Sequence, residues 1–239
     1  MKETTIIQVP ENMQVQYIYA PATSLDCATL RSGRAGVSVA NSANFVVCNK
    51  TTDIKSDFLP LVPKFIEGCS GYALTFELSQ YAQLELDLDL TNYSNNLELT
   101  FKFNLNGPGA SIKLISRAIL RDQQEIKIIT EQNHLAPDTT SDLLLKTVCF
   151  DQAKWSYNGK ILVSPAGHRT VASQVNHNLL MPSYSQAISI PALEVLTNDV
   201  KCTHGSAVGQ VDRDSLYYLM ARGLTAEQAE TVLLESFLG

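Results

Sequence analysis

The chain has 239 residues; 18 Lys and Arg against 24 Asp and Glu leave a formal net charge of −6, and apolar residues make up 45%. That apolar share excludes a disordered chain, the acidic balance argues against a general nucleic-acid binder, and no run of about 18 apolar residues offers a membrane-spanning helix. Charged residues are only 18%, whereas Ser, Thr, Asn and Gln together number 65, so the surface is either neutral and polar or partly hidden against something.

One large domain, or one with an appendage, is the expectation from length. The segment Met1 to Met13 (MKETTIIQVPENM) carries acids where an export signal is basic, and its apolar run is short. A reduced, cytoplasmic protein is therefore expected. Cys27, Cys48, Cys69, Cys149 and Cys202 are odd in number and hold no CxxC pair. That argues against a disulfide framework and against a structural zinc site.

From the N-terminus to about Val211 the dominant period is two. Leu84, Leu86, Leu88 and Leu90 alternate with Glu85, Asp87 and Asp89, and Leu97 to Leu105 alternate likewise. Such alternation turns one set of side chains to a core and the other to solvent. Further strands are predicted at Ile112–Ile119, Ile126–Thr130, Leu143–Phe150, Lys160–Val163, Ala187–Ile190 and Leu193–Leu196. Turn signals lie at Asn106-Gly107-Pro108-Gly109, Tyr157-Asn158-Gly159 and Pro165-Ala166-Gly167. Many strands without intervening helices predict an all-β sandwich, barrel or solenoid. A recurrence of about 20 residues and the abundance of Asn, Ser and Thr favour the solenoid. Cys27, Cys48 and Cys69, spaced 21 residues apart, would suit stacked rungs, although coincidence is the simpler account.

The end of the chain changes character. Asp212–Arg222 opens on a capping Asp, places Leu216, Leu219 and Met220 on one helical face and stops at Gly223. Thr225 and Gln228 then form a capping box, with Ala229, Val232, Leu233 and Phe237 at helical spacing. The predicted division is a β core over residues 1–211 and a pair of short helices over 212–239. One stripe is expected to cap the end of the β body and its strand edges. A second surface (Tyr217, Tyr218, Leu234) is left for a partner.

Three features carry candidate chemistry. Glu85, Asp87 and Asp89 could converge on a calcium ion or serve glycosidic chemistry as a polysaccharide-acting β-helix enzyme. The plainer reading is a solvated strand face balanced by neighbours such as Lys102. Gly107 to Ser111 lacks the Lys-Ser/Thr of a phosphate loop, so no ATP hydrolysis is expected. In Asp199-Val200-Lys201-Cys202-Thr203-His204-Gly205, an extended backbone puts Cys202 and His204 on one side, about 7 Å apart along the strand. A thiol and an imidazole so placed suit a shared metal site or a nucleophile–base pair. His134, His168 and His177 read as turn caps or core hydrogen bonds.

Several stretches in order resemble the SufB/SufD family of the SUF iron–sulfur cluster assembly system. They are Asn158 to Val163 (NGKILV), Thr170 to Leu180 (TVASQVNHNLL), Leu193 to Gln210 (LEVLTNDVKCTHGSAVGQ) and Leu216-Tyr217-Tyr218-Leu219 with Arg222-Gly223. His134-Leu135-Ala136-Pro137 with Ser141 fits an upstream HxxPxTxS-like stretch. The match runs over roughly Gln132 to Phe237, and the DVKCTHG form is similar to the SufD branch.

The resemblance implies a right-handed parallel β-helix followed by a short helical segment. It further implies a non-catalytic scaffold subunit that pairs with a SufB-like paralogue and a SufC-like ABC-type ATPase. His204, with Cys202, would lie where the β-helix ends of the paralogues meet and a transient iron–sulfur cluster forms, none being held stably by the isolated chain. Of the two, His204 is the tentative metal ligand. Leu216, Tyr217, Tyr218, Arg222, Leu234 and Phe237 would face the ATPase. The alternative is a β-solenoid interaction module, homodimeric when isolated, without cluster function. Two departures stand out: strand-like residues begin by Thr5, where the family carries an N-terminal helical domain, and Met181–Ile190 is less acidic than the family pattern.

Overall fold

In the computed structural model, which describes residues 71–181 and 184–239 and the backbone of four earlier strands, the period-two pattern becomes strands facing alternately inward and outward. The early strands are β1 (Thr4–Val9), β2 (Gln14–Tyr19), β3 (Val37–Val39) and β4 (Phe45–Asn49). Then follow β5 (Gly71–Leu78), β6 (Gln83–Leu90), β7 (Leu97–Leu105), β8 (Ser111–Leu120) and β9 (Glu125–His134). The series ends with β10 (Thr140–Cys149), β11 (Lys154–Val163), β12 (Thr170–Leu180), β13 (Gln186–Val195) and β14 (Val200–Gln210).

One sheet runs in the order β1-β5-β7-β9-β11-β13, and the other runs β14-β12-β10-β8-β6-β2-β4-β3. From β5 onward, each strand pairs in parallel with the strand two places on, so the chain winds between the sheets as a parallel β-solenoid. Among the earlier described strands, β1 and β2 pair in parallel with β5 and β6, whereas β4 pairs antiparallel with β2 and β3.

From β5 onward, register partners lie 27 to 32 residues apart, from Gly71↔Glu98 to Lys154↔Gln186, not about 20 as the strand–turn spacing suggests. One coil holds two long strands and two corners, and Gly159 and Pro191, where the sequence pattern breaks, lie inside single strands. Tyr157-Asn158-Gly159 is thus no turn: all three lie within β11. Pro191 sits in β13, at the edge of its sheet, where a missing N–H is tolerated. Of the three evenly spaced cysteines, Cys27 and Cys69 lie outside the described residues, and Cys48 is on antiparallel β4.

The corners are also stacked. Tyr81, Gly109, Asp138 and Arg169 all adopt left-handed backbone conformations, with φ of 55°, 72°, 59° and 58°. Each donates its amide to the corner above, at Pro108, Pro137, His168 and Asp199 respectively. The repeated left-handed residue turns the chain while each of these four amides keeps a partner. A side-chain ion pair between Asp138 and Arg169 joins two adjacent corners.

The core changes composition along the axis. Between β5 and β8 it is Leu, Phe and Ile, with Phe76 and Phe103 stacked at 5.4 Å. From β9 to β12 the inward positions include Thr130, Gln132, His134, Thr147, Gln174, Asn176 and Asn178, all buried. Gly159 makes room for this layer: a Cβ there would stand 2.4 Å from both Gln174 Nε2 and Tyr157 Oη.

Helix α1 (Arg213–Ala221) starts at Asp212, whose carboxylate accepts from the Asp214 and Ser215 amides. Gly223, at φ +100°, turns the chain into α2 (Ala226–Leu238), where Thr225 and Gln228 complete the capping box. Contrary to expectation, α2 does not cap the solenoid's end. Its Leu234, Phe237 and Leu238 pack on Ile119, Val148 and Leu179, outward residues of β8, β10 and β12. Those three positions are register partners, so α2 lies across the flank of one sheet. Lys146 Nζ donates to the Leu238 carbonyl at 3.3 Å, a cation at a helix C-terminus where the macrodipole favours it.

Candidate functional site

With α2 on the flank, β13 and β14 are left as the outermost strands of their sheets. They are 10 and 11 residues long, and most of their residues are exposed. Long, uncovered edges of this kind are templates for another chain. Leu193, Val195 and Val208 occupy inward-facing positions of this last rung yet remain exposed, and Ile188 and Ile190 are exposed on the outer side of β13.

The DVKCTHG stretch runs along this edge. Val200–Gln210 is extended, so Cys202 and His204 share a side. Their register partners are Ala172 and Gln174, both buried inward-facing residues of β12. The two side chains nevertheless meet different surroundings. Cys202 is half-buried against Ile161, Val163 and Ala172, and burial pushes its thiol up, partly countered by a hydrogen bond with the Ala172 backbone. It is a protonated thiol at neutral pH, not an activated thiolate. His204 is exposed at the open end. Among the described residues, no three His, Cys, Asp or Glu side chains gather to hold a metal ion.

The three carboxylates of β6 are accounted for locally. Asp87 pairs with Arg117 at 2.6 Å, and Asp89 accepts from the Thr91 amide and hydroxyl. Glu85 is the register partner of Lys113. The face is balanced, but not by Lys102, which lies on the other sheet and pairs with Glu131.

The helices offer a second surface. Tyr217, Tyr218, Met220 and Val232 are exposed, and Arg222 lies 5.1 Å over the Tyr218 ring while donating to its hydroxyl. A cleft of about 430 Å³ between the helices is lined by Ser215, Tyr218, Leu219, Val232 and Ser236 among others. Leu216 is half-buried. Leu234, expected on the free surface, is only 8% exposed, and Phe237 joins it against the sheet. The free apolar surface therefore belongs mainly to α1.

His134 does more than cap a turn or make one core hydrogen bond. Fully buried at the end of β9, it bonds Thr139 Oγ1 at 2.8 Å through Nδ1 and Ser141 Oγ at 2.9 Å through Nε2. Thr139 in turn reaches Thr170 Oγ1 at 3.0 Å on the next coil. The HxxPxTxS spacing is the signal: its hydroxyls are the histidine's partners. His168 bonds Thr197 at a corner, and His177 faces outward.

These features define a two-sheet parallel β-solenoid with an uncovered terminal rung and a helical pair docked on its flank. The chain belongs to the SufBD family, since the family model described as "SUF system FeS cluster assembly, SufBD core domain" matches residues 1–237. It is 30% identical to the iron-sulfur cluster assembly protein SufD of Escherichia coli over 133 residues, 56% of this chain and 31% of that protein. An iron-sulfur cluster assembly SufBD family protein of Synechocystis is 28% identical over 163 residues, 67% of this chain and 35% of that one. The iron-sulfur cluster assembly protein SufB of Bacillus subtilis is 27% identical over 144 residues, 59% of this chain and 31% of it. The matched region spans about a third of the length of these relatives.

Proposed function

We propose that this chain is a SufD-like scaffold subunit of a cytoplasmic iron–sulfur cluster assembly complex, without catalytic activity of its own. The observation that carries the proposal is the pair of long, uncovered edges β13 and β14, with His204 exposed on β14, in a chain of the SufBD family. A SufB-like paralogue covers this end, and a transient cluster forms beside His204, with Cys202 shaping the wall behind it. When isolated, two copies pair through the same edges. Tyr217, Tyr218 and Arg222, with Leu216 beneath them, meet a SufC-like ATPase.

A mechanical route links the two surfaces. Helix α2 grips Val148 on β10 and Leu179 on β12, and β12 pairs residue by residue with β14. ATP-driven motion of the ATPase, pulling on the helices, would thus strain the strand that carries His204.

Co-expression with SufB-like and SufC-like proteins tests the reading. A three-component complex should survive purification, and truncation after Val211 should release the ATPase while the paralogue stays bound. A His204→Ala complex should assemble but acquire less iron and sulfide. Normal cluster loading in that variant would remove the site assignment, and ATPase binding that survives truncation would remove the coupling route. If the chain forms only a stable dimer of itself and never joins the complex, it is an interaction module instead.

A further inference from the structure

The polar layer beneath β14 is not satisfied by the protein alone. Gln132 Nε2 donates to Gln174 Oε1 at 3.0 Å, which leaves Gln132 Oε1 and Gln174 Nε2 without partners. Turning both carboxamides over reverses this bond and still leaves one atom of each facing away from it; turning one alone breaks the bond. Asn176 is fully buried, and neither its Nδ2 nor its Oδ1 has a partner. Asn178 donates to the Ala207 carbonyl at 3.3 Å, but its Oδ1 is unpartnered, as is the hydroxyl of its register neighbour Thr147.

Gln174, Asn176 and Asn178 follow one another at two-residue spacing on the inward face of β12, so these atoms form one contiguous layer. Leaving so many buried carboxamide atoms unpaired would cost free energy comparable to the whole stability of a domain. A second component must therefore complete the layer. The chemistry of the orphans specifies it. They are a mixture of donors and acceptors, all neutral, which suits a small molecule able to donate and accept at once. A buried ion would find no opposite charge here: His134 spends both ring nitrogens on Thr139 and Ser141, and burial keeps Tyr157 and Cys149, in the same part of the core, neutral.

We propose that the solenoid binds internal water in this layer, bridging Gln132, Gln174, Asn176 and Asn178. Exchange with bulk runs through the open rung, where Ser206 stands directly over Asn176 in the register and is exposed. The hydrated layer thus lies one rung beneath the edge strand that carries His204.

Water oxygen-17 relaxation dispersion on the intact chain, with a high-resolution crystal structure, tests this. The wild type should show a dispersion from long-lived internal water, and density should lie about 3 Å from the Asn176 amide atoms. Asn176→Leu should lower the dispersion amplitude by at least one water. If that variant does not fold, Asn178→Leu and the wild-type measurements decide. A wild type without slow dispersion, an amplitude unchanged in the folded variant, or density showing the carboxamides paired with one another or with an ion would overturn the proposal.

Discussion

Acidification should weaken the fold through one histidine. His134 is fully buried, and burial, which penalises the charged ring, holds its pKa down to about 4 from an ordinary 6.5. The unfolded chain therefore takes up this proton more readily than the folded one. The histidine's contribution is fully present above about pH 6.5 and is lost as pH falls toward 4. At about 1.4 kcal/mol per pH unit, the whole interval is worth about 3 kcal/mol, and the step from pH 7 to pH 5 about 2 kcal/mol. The hydroxyls of Thr139 and Ser141 can accept from the ring as well as donate to it, so burial alone sets the sign. Urea unfolding of the wild type and of His134→Gln at pH 7.5 and pH 5.0 isolates the term. The Asp138–Arg169 pair and the other carboxylates are common to both proteins and cancel. The variant should be less stable at pH 7.5 but should lose about 2 kcal/mol less on acidification. Equal losses in the two proteins would refute the reasoning.

Three further outcomes follow from the packing. Gly159→Ala drives a methyl against Gln174 and Tyr157 and should cost about 1–3 kcal/mol in urea unfolding; a neutral effect would mean that the polar layer is loosely held. Leu234→Ala should cost about 2 kcal/mol, with faster hydrogen exchange along α2 but not along β10. Unchanged exchange in α2 would show that the helix docks by other contacts. Asp87→Asn breaks a partly exposed pair with Arg117 and should change stability by less than about 1 kcal/mol, measured by thermal melting; a larger loss would mean that the pair is screened from water more fully than its exposure implies.

The strands were legible wherever one face is apolar and the other polar, as in β6 and β7, because burial then follows the period of two. Legibility failed toward the C-terminal end of the solenoid for a physical reason. From β9 to β12 several inward positions are themselves polar, so Gln132, Gln174 and Asn176 look like surface residues in the sequence. Gly159 and Pro191 carry turn-like chemistry, yet one serves a close side-chain approach and the other occupies an edge. The helices were clear from their caps, since Asp212, Thr225 and Gln228 act locally. Where they dock was not, because that depends on Ile119, Val148 and Leu179 meeting across three strands far apart in sequence. The shared side of Cys202 and His204 was readable from spacing alone. Their unequal exposure was not, since it depends on Ile161, Val163 and Ala172 lying under one and not the other.

The short strand β3 bears on what this solenoid can assemble into. A coil with the same strand polarity exposed at both ends can add copies head to tail, and such growth does not close. Among the described residues, one sheet ends on β14, 11 residues long, and at its opposite end on β3, which two successive antiparallel pairings leave running in the same direction as β14. Polarity therefore permits head-to-tail addition, and length opposes it: β3 is three residues long and offers an incoming β14 few backbone groups. Of the two described edges of that sheet, β14 is the stronger template for another chain.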